Sequence, residues 1–167
     1  MKEALQTMNI PILTLEGYEA DDILGTVAKH CQAEGIEVSI VSGDRDLLQL
    51  ADEHIKIRIP KTSRGTTNIY DYYPDDVKRE YQVTPTEFID VKALMGDASD
   101  NIPGVPSIGE KTATNLIVTY GSIENAYDHV SEIKPPRAQK SLMEHYDMAQ
   151  MSKELAAICI TCPIPFS

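Results

Sequence analysis

The apolar positions along the chain change period several times, and the changes mark out the elements. Met1 to Met8 reads as a helix already under way, with no capping residue before it, and Asn9-Ile10-Pro11 ends it. Pro11 to Leu15 is predicted as a short strand. Beyond Gly17, the apolar residues Ile23, Leu24, Val27, Ala28 and Cys31 fall at helical spacing, and that helix closes at Gly35. Ile36 to Val41 is an apolar, β-branched run between Gly35 and Gly43, the pattern of a buried strand. Asp44 to Ala51 is predicted as a short helix, and Ile55-Lys56-Ile57-Arg58-Ile59 alternates as a half-exposed strand. Strand, helix, strand, helix, strand predicts an α/β fold with a parallel sheet.

After residue 70 the period becomes helical. Pro74 opens a helix with Asp75 and Asp76 in its first turn. Thr84-Pro85-Thr86-Glu87 is a capping box with proline at the first helical position, starting a helix through Met95. Further helices are predicted over Glu110 to Thr119, Ser122 to Asp128 and Arg137 to Leu155. The chain therefore divides into a partial α/β subdomain, 1–70, and a helical subdomain, 71–167. The stretch Lys61 to Asn68 reads as a polar loop, and Tyr70, Tyr72, Tyr73 and Tyr81 as packing residues.

Composition narrows the class. With 167 residues, 42% hydrophobic and 25% charged, the chain can bury a core and is neither fibrous nor disordered. No apolar run approaches the roughly 20 residues that span a bilayer, and Met1-Lys2-Glu3-Ala4-Leu5 lacks a secretory apolar stretch, so a soluble, cytoplasmic protein without a membrane partner is expected. Cys31, Cys159 and Cys162 suit a reducing compartment. Cys159-Ile160-Thr161-Cys162 has neither the second pair of a zinc ribbon nor the helix start of a redox motif, and is read as two small packing residues. The net charge of −11 argues against holding a nucleic acid by bulk charge. Its distribution weakens that argument: residues 16–53 carry ten acids against two bases, whereas 54–92 carry six against seven and 101–141 four against four.

The local acidity resolves into three clusters. Glu19, Asp21 and Asp22 stand in the first turn of a helix, Asp44 and Asp46 follow the buried strand, and Asp97 and Asp100 follow the Thr84 to Met95 helix. Each has a structural reading: first-turn acids offset the helix dipole, Asp44 and Asp46 can cap a helix, and Asp97 with Asp100 can form an Asx-turn. Together they suggest more, because ligand crevices in open α/β sheets lie at the carboxyl ends of strands, and converging carboxylates repel unless cations compensate. Oxygen-only donors without nearby His or Cys favour Mg²⁺ or Mn²⁺ over zinc. Two such ions about 4 Å apart can activate a water and stabilise a leaving oxygen in phosphodiester hydrolysis.

A glycine-rich segment is more specific. In Gly96-Asp97-Ala98-Ser99-Asp100-Asn101-Ile102-Pro103-Gly104-Val105-Pro106-Ser107-Ile108-Gly109-Glu110-Lys111-Thr112-Ala113, Gly104 and Gly109 flank a tight apolar turn. Gly109 opens a helix whose N–H groups, with Lys111 and Thr112, can hold a phosphate. Together with Gly17-Tyr18-Glu19-Ala20-Asp21-Asp22 and Ser42-Gly43-Asp44-Arg45-Asp46-Leu47-Leu48-Gln49-Leu50, it resembles the 5′ nuclease domain of bacterial DNA polymerase I, related to flap endonucleases and phage 5′ exonucleases. The resemblance runs from about Leu5 to the C-terminus.

It implies a PIN-like, Rossmann-like sheet followed by a helix–three-turn–helix region at 88–120, and a structure-specific, metal-dependent 5′-3′ exonuclease and flap endonuclease acting on duplex and flap DNA in primer removal and repair. By the same resemblance, Glu19, Asp21, Asp22, Asp44, Asp46, Asp97 and Asp100 hold two divalent ions, with Asp21, Asp44 and Asp46 catalytic. Gly104, Val105, Ser107, Ile108, Gly109, Lys111 and Thr112 grip the duplex backbone, with a potassium ion at the hairpin. Lys61 and Arg64 are further candidate contacts. Two departures stand out. Ser107 replaces the family's usual glycine, at the cost of strain if that position needs φ > 0. The family's first strands, each with a metal-binding aspartate, and its arch region are expected to precede this chain, which alone would then be weakly active or inactive unless a partner chain or dimer contact supplies the strands. A non-catalytic DNA-binding fragment is the first alternative. The second is a haloacid-dehalogenase-type phosphatase, in which Asp44-Arg45-Asp46 would supply the nucleophile. Two bound ions would return four positive charges to the chain, so its acidity is compatible with a DNA partner.

Overall fold

In the computed structural model, which describes residues 1–166, the chain runs α1 (Lys2–Thr7), α2 (Ala20–Ala33), β1 (Val38–Val41), a 3₁₀ turn (Arg45–Leu50), β2 (Ile55–Ser63), β3 (Thr66–Tyr72), α3 (Pro74–Tyr81), α4 (Pro85–Met95), α5 (Glu110–Tyr120), α6 (Ile123–Asp128), a second 3₁₀ turn (Val130–Glu132), α7 (Pro136–Glu144) and α8 (Tyr146–Ala156). The α/β class holds, and the sheet is mixed. β1 and β2 are parallel, Val38 opposite Ile55, whereas β2 and β3 are antiparallel, Ile57 opposite Tyr72 and Ser63 opposite Thr66. The polar loop expected over Lys61 to Asn68 is a hairpin: Arg64 and Gly65 both take positive φ (50° and 80°), matching a tight turn to the twist of the strands. Polarity concealed it, because this hairpin end is solvated on both faces.

Pro11 to Leu15 does not form the expected strand. These residues are irregular, with Leu13 54% exposed, and β1 has one neighbouring strand among the described residues. A strand exists only where another strand takes its N–H and C=O groups. The expected burial of Ile36 to Val41 reduces to Ile40, with Val41 exposed. Asp44 to Ala51 forms a 3₁₀ turn that buries Leu47, Leu48 and Leu50. The helix expected over Arg137 to Leu155 breaks at His145, whose backbone (φ −126°, ψ 30°) leaves the helical region.

Burial separates two cores. Ala28, Ile40, Leu47, Leu48, Ile55, Ile57 and Val77 form one under the sheet; Leu94, Val105, Ile108, Leu116, Ile117, Ile123 and Leu142 form the other among the later helices. Tyr81 and Phe88 touch both, edge to face at 5.4 Å, and so join them. The predicted capping box of α4 is present: the Glu87 N–H donates to Thr84 Oγ1 (3.3 Å) and the Thr84 N–H to Glu87 Oε2 (2.8 Å). No helix among the described residues is long and apolar enough to cross a membrane.

Candidate metal and nucleic-acid site

α4 aims the turn that follows it. Gly96 ends the helix with φ 75°, and residues 97–102 fold back on themselves, the Asp97 and Ile102 backbones exchanging two hydrogen bonds of 2.9 Å. The return brings Gly104 (φ 66°) against Gly96. A Cβ on Gly104 would lie 2.5 Å from the Gly96 nitrogen, and one on Gly96 would lie 2.9 Å from the Ile102 carbonyl oxygen. Both must be glycine, since both take the left-handed backbone and neither leaves room for a side chain. Asp97 and Asp100 are thereby held beside α4.

The decisive group at this point is Lys92, which the sequence reading missed. Its side chain is 5% exposed, and its ammonium meets three of the predicted acids: Asp46 in a short hydrogen bond, Asp100 Oδ2 at 2.7 Å and Asp97 Oδ2 at 3.4 Å. Burial alone would lower its pKa; the hydrogen bonds it donates to Asp100 and Asp46 outweigh burial and raise it, keeping the ammonium charged. A signal was available: Lys92 interrupts the otherwise apolar run Val91 to Leu94, where an unpaired lysine would be costly.

The other acids stand at the start of α2 and the end of β1. Asp22 spans two segments, Oδ2 accepting from the Glu19 N–H (3.2 Å) and Oδ1 from the Cys159 N–H (2.9 Å). Asp44 caps the 3₁₀ turn by accepting from the Asp46 N–H (2.9 Å), and Asp97 accepts from the Ser99 hydroxyl and from the Ser99 N–H (2.9 Å), which in that order lower its pKa. The structural readings of these acids are thus realised. The pKa of Asp21 is raised, first by burial and then by Asp44, Asp46, Glu19 and Asp22, four carboxylates acting on a fifth. Asp46 is raised by burial and Asp44 against the opposing pull of Lys92, and it is the member common to the two groups.

These donors suit a hard divalent cation, being carboxylate oxygens with repulsion that a cation would relieve. As placed, no three His, Cys, Asp or Glu side chains among the described residues are gathered closely enough to hold an ion. Lys92 occupies the place of a counter-ion at Asp46, Asp97 and Asp100.

The predicted DNA-gripping residues divide similarly. The Gly104 N–H donates to buried Ser152 Oγ (3.1 Å), the Val105 N–H to the Leu94 carbonyl (2.8 Å), and the Ile108 N–H to the Val105 carbonyl (3.1 Å), so these three shape the turn. Ser107 does take positive φ (66°), and its Oγ accepts from Arg137 Nε at 3.0 Å. Gly109 caps α5, with Lys111 exposed and Thr112 half-buried in the first turn. A cavity of about 570 Å³ connects the two regions, bordered by Arg45, Asp46, Lys92 and Asp97 at one end and by Glu110 and Lys111 at the other. Asp97 follows a helix, not a strand, which removes the basis for the phosphatase alternative.

Family models match the whole chain: residues 1–82 match the 5′-3′ exonuclease N-terminal resolvase-like domain and residues 83–167 the 5′-3′ exonuclease C-terminal SAM fold. The chain belongs to the 5′-3′ exonuclease family. This exonuclease-family chain is 47% identical to DNA polymerase I of Bacillus caldotenax over 167 residues, covering 100% of itself and 19% of that protein. It thus spans about a fifth of the length of the curated relatives it matches. Among solved structures it is similar to the bacteriophage T5 5′-exonuclease with bound zinc, with TM-score 0.78 and 25% identity over 95% of this chain and 57% of that one. A T5 flap endonuclease in a complex with DNA and metal ions matches with TM-score 0.77 and 25% identity, over 94% of this chain and 56% of that one.

Proposed function

We propose that this exonuclease-family chain carries the carboxylate and duplex-gripping portion of a metal-dependent 5′-3′ exonuclease and flap endonuclease acting on DNA in the cytoplasm, in replication and repair. The observation that carries the reading is a cavity bordered by Asp46, Lys92 and Asp97 at one end and the first turn of α5 at the other. Glu19, Asp21, Asp22, Asp44, Asp46, Asp97 and Asp100 would hold two divalent cations, Mg²⁺ or Mn²⁺, which supply water activation and charge neutralisation at a phosphodiester. Asp21, Asp44 and Asp46 stand nearest the chemistry in this assignment, and Lys92 orients Asp46 and Asp100. Ser107, Gly109, Lys111 and Thr112 would anchor the duplex through phosphate contacts that read no sequence, over a turn shaped by Gly104, Val105 and Ile108. A potassium ion bound by main-chain carbonyls of that turn belongs to the same proposal. The edge of β1 away from β2, unpaired among the described residues, is where a strand from a partner chain or a second copy would extend the sheet.

Asp44→Asn tests the assignment, measured on 5′-labelled flap DNA with Mg²⁺ or Mn²⁺ in a chain that cleaves. Cleavage should disappear while flap binding remains nearly intact; unchanged cleavage refutes the role. The pairing of Lys92 with Asp46, Asp97 and Asp100 favours a second reading, a DNA-binding portion without catalysis of its own. Flap DNA bound but never cut by this chain across a Mn²⁺ titration supports that second reading.

A further inference from the structure

Past Ala156 the end of α8 gives way to a strap that returns across α2, and its two cysteines face each other. Cys159 Sγ and Cys162 Sγ are 3.6 Å apart, Cys162 buried and Cys159 half-buried. The strap is fastened to α2 at each end of the pair. The Cys162 N–H donates to Thr26 Oγ1 (3.0 Å), the Thr26 hydroxyl donates to the Cys159 carbonyl (3.3 Å), and the Cys159 N–H donates to Asp22 Oδ1 (2.9 Å). Gly25 allows this proximity: a Cβ there would lie 2.9 Å from Ile158 Cγ2. The packing role assigned to the two cysteines therefore accounts for their burial but not for the facing sulfurs.

We propose that Cys159 and Cys162 form an oxidisable dithiol whose closure to a disulfide loosens the hold of the strap on Asp22; the importance of Asp22 to metal binding rests on the nuclease reading above. A low-molecular-weight disulfide is the oxidant. The Cys159 thiolate attacks one of its sulfurs and expels a thiolate, giving a mixed disulfide; the Cys162 thiolate then attacks Cys159 Sγ and expels the second. Two protein thiols are oxidised by two electrons, two small thiols are formed, and both protein protons pass to them. Closure must bring the sulfurs from 3.6 Å to about 2 Å. Cys162 is buried, so the more exposed Cys159 is the residue that moves, and its backbone N–H, one bond from the Cα that carries the side chain, leaves Asp22. Partners that orient a metal-ligating carboxylate commonly change affinity by about tenfold when lost.

The test uses the full chain with Cys31→Ser, so that the pair holds the only thiols. After treatment with oxidised glutathione and alkylation of free thiols, intact mass should show the loss of two hydrogens, with neither glutathione nor alkyl adduct. The added Cys162→Ser substitution should instead stop at one glutathione adduct. Amide exchange at Cys159 should accelerate about tenfold on closure, the loss of one hydrogen bond, and Mn²⁺ binding should weaken about tenfold. Thiols that remain alkylatable or retain glutathione overturn the proposal, as does closure with unchanged exchange at Cys159 or with unchanged Mn²⁺ affinity. If Mn²⁺ binds in neither redox state, the nuclease reading fails, while mass and exchange still decide the dithiol.

Discussion

Replacing Lys92 with methionine keeps the length of the side chain and removes its charge, leaving Asp46, Asp97 and Asp100 without their shared cation. Removing one partner of a buried ion pair costs about 3–5 kcal/mol. Lys92 is 5% exposed, but its partners are 22%, 30% and 49% exposed, and water screens the charges left behind. The loss should therefore be nearer 2 kcal/mol at neutral pH. Its pH dependence identifies the cause. Asp46 already has a raised pKa, from burial and Asp44, and loses the lowering pull of Lys92, so it rises further. A carboxyl whose folded pKa lies above its unfolded value binds more protons in the folded state between the two. Stability then falls as pH rises through that window, from about 4 upward. Equilibrium urea unfolding of parent and variant near pH 5 and pH 8 measures this, with the larger deficit expected at the higher pH. Mg²⁺ should stabilise the variant more than the parent, because no lysine competes with it. A deficit equal at both pH values and unaffected by Mg²⁺ would show that Lys92 acts by packing alone.

Gly104→Ala should cost about 3 kcal/mol or prevent folding, from left-handed strain together with overlap of the Gly96 backbone; thermal melting checks it, and an unchanged midpoint would refute the tight approach of the two turns. Lys153→Met strands buried Asp90, 2.7 Å from the ammonium, and removes the partner of Glu124 at 2.9 Å. Burial raises the Asp90 pKa against the pull of Lys153, so the loss, about 2–3 kcal/mol, should also grow with rising pH when followed by urea unfolding.

Helix starts, the glycine turn and the local caps made by the acids were legible because each depends on neighbours in sequence. The Thr84 and Glu87 cap each other three residues apart, and the Gly109 break precedes α5 directly. The β2–β3 hairpin was hidden for a different reason: its distal residues are polar on both faces, and only backbone pairing declares them strands. Pro11 to Leu15 shows the converse, an apolar segment that stays irregular where no strand pairs with it.

The carboxylates illustrate the same division at the site. By itself, the sequence determined which side chains could carry the chemistry, where the local turns cap them, and which family they match. Tertiary structure decided how they are neutralised: Lys92 reaches Asp46 across 46 residues, and Asp22 is held by the Cys159 N–H across 137. Capping and turn geometry are fixed by residues a few positions apart, and so are written locally. The field at a carboxylate depends on charge and burial brought from distant parts of the chain, which only the folded arrangement specifies.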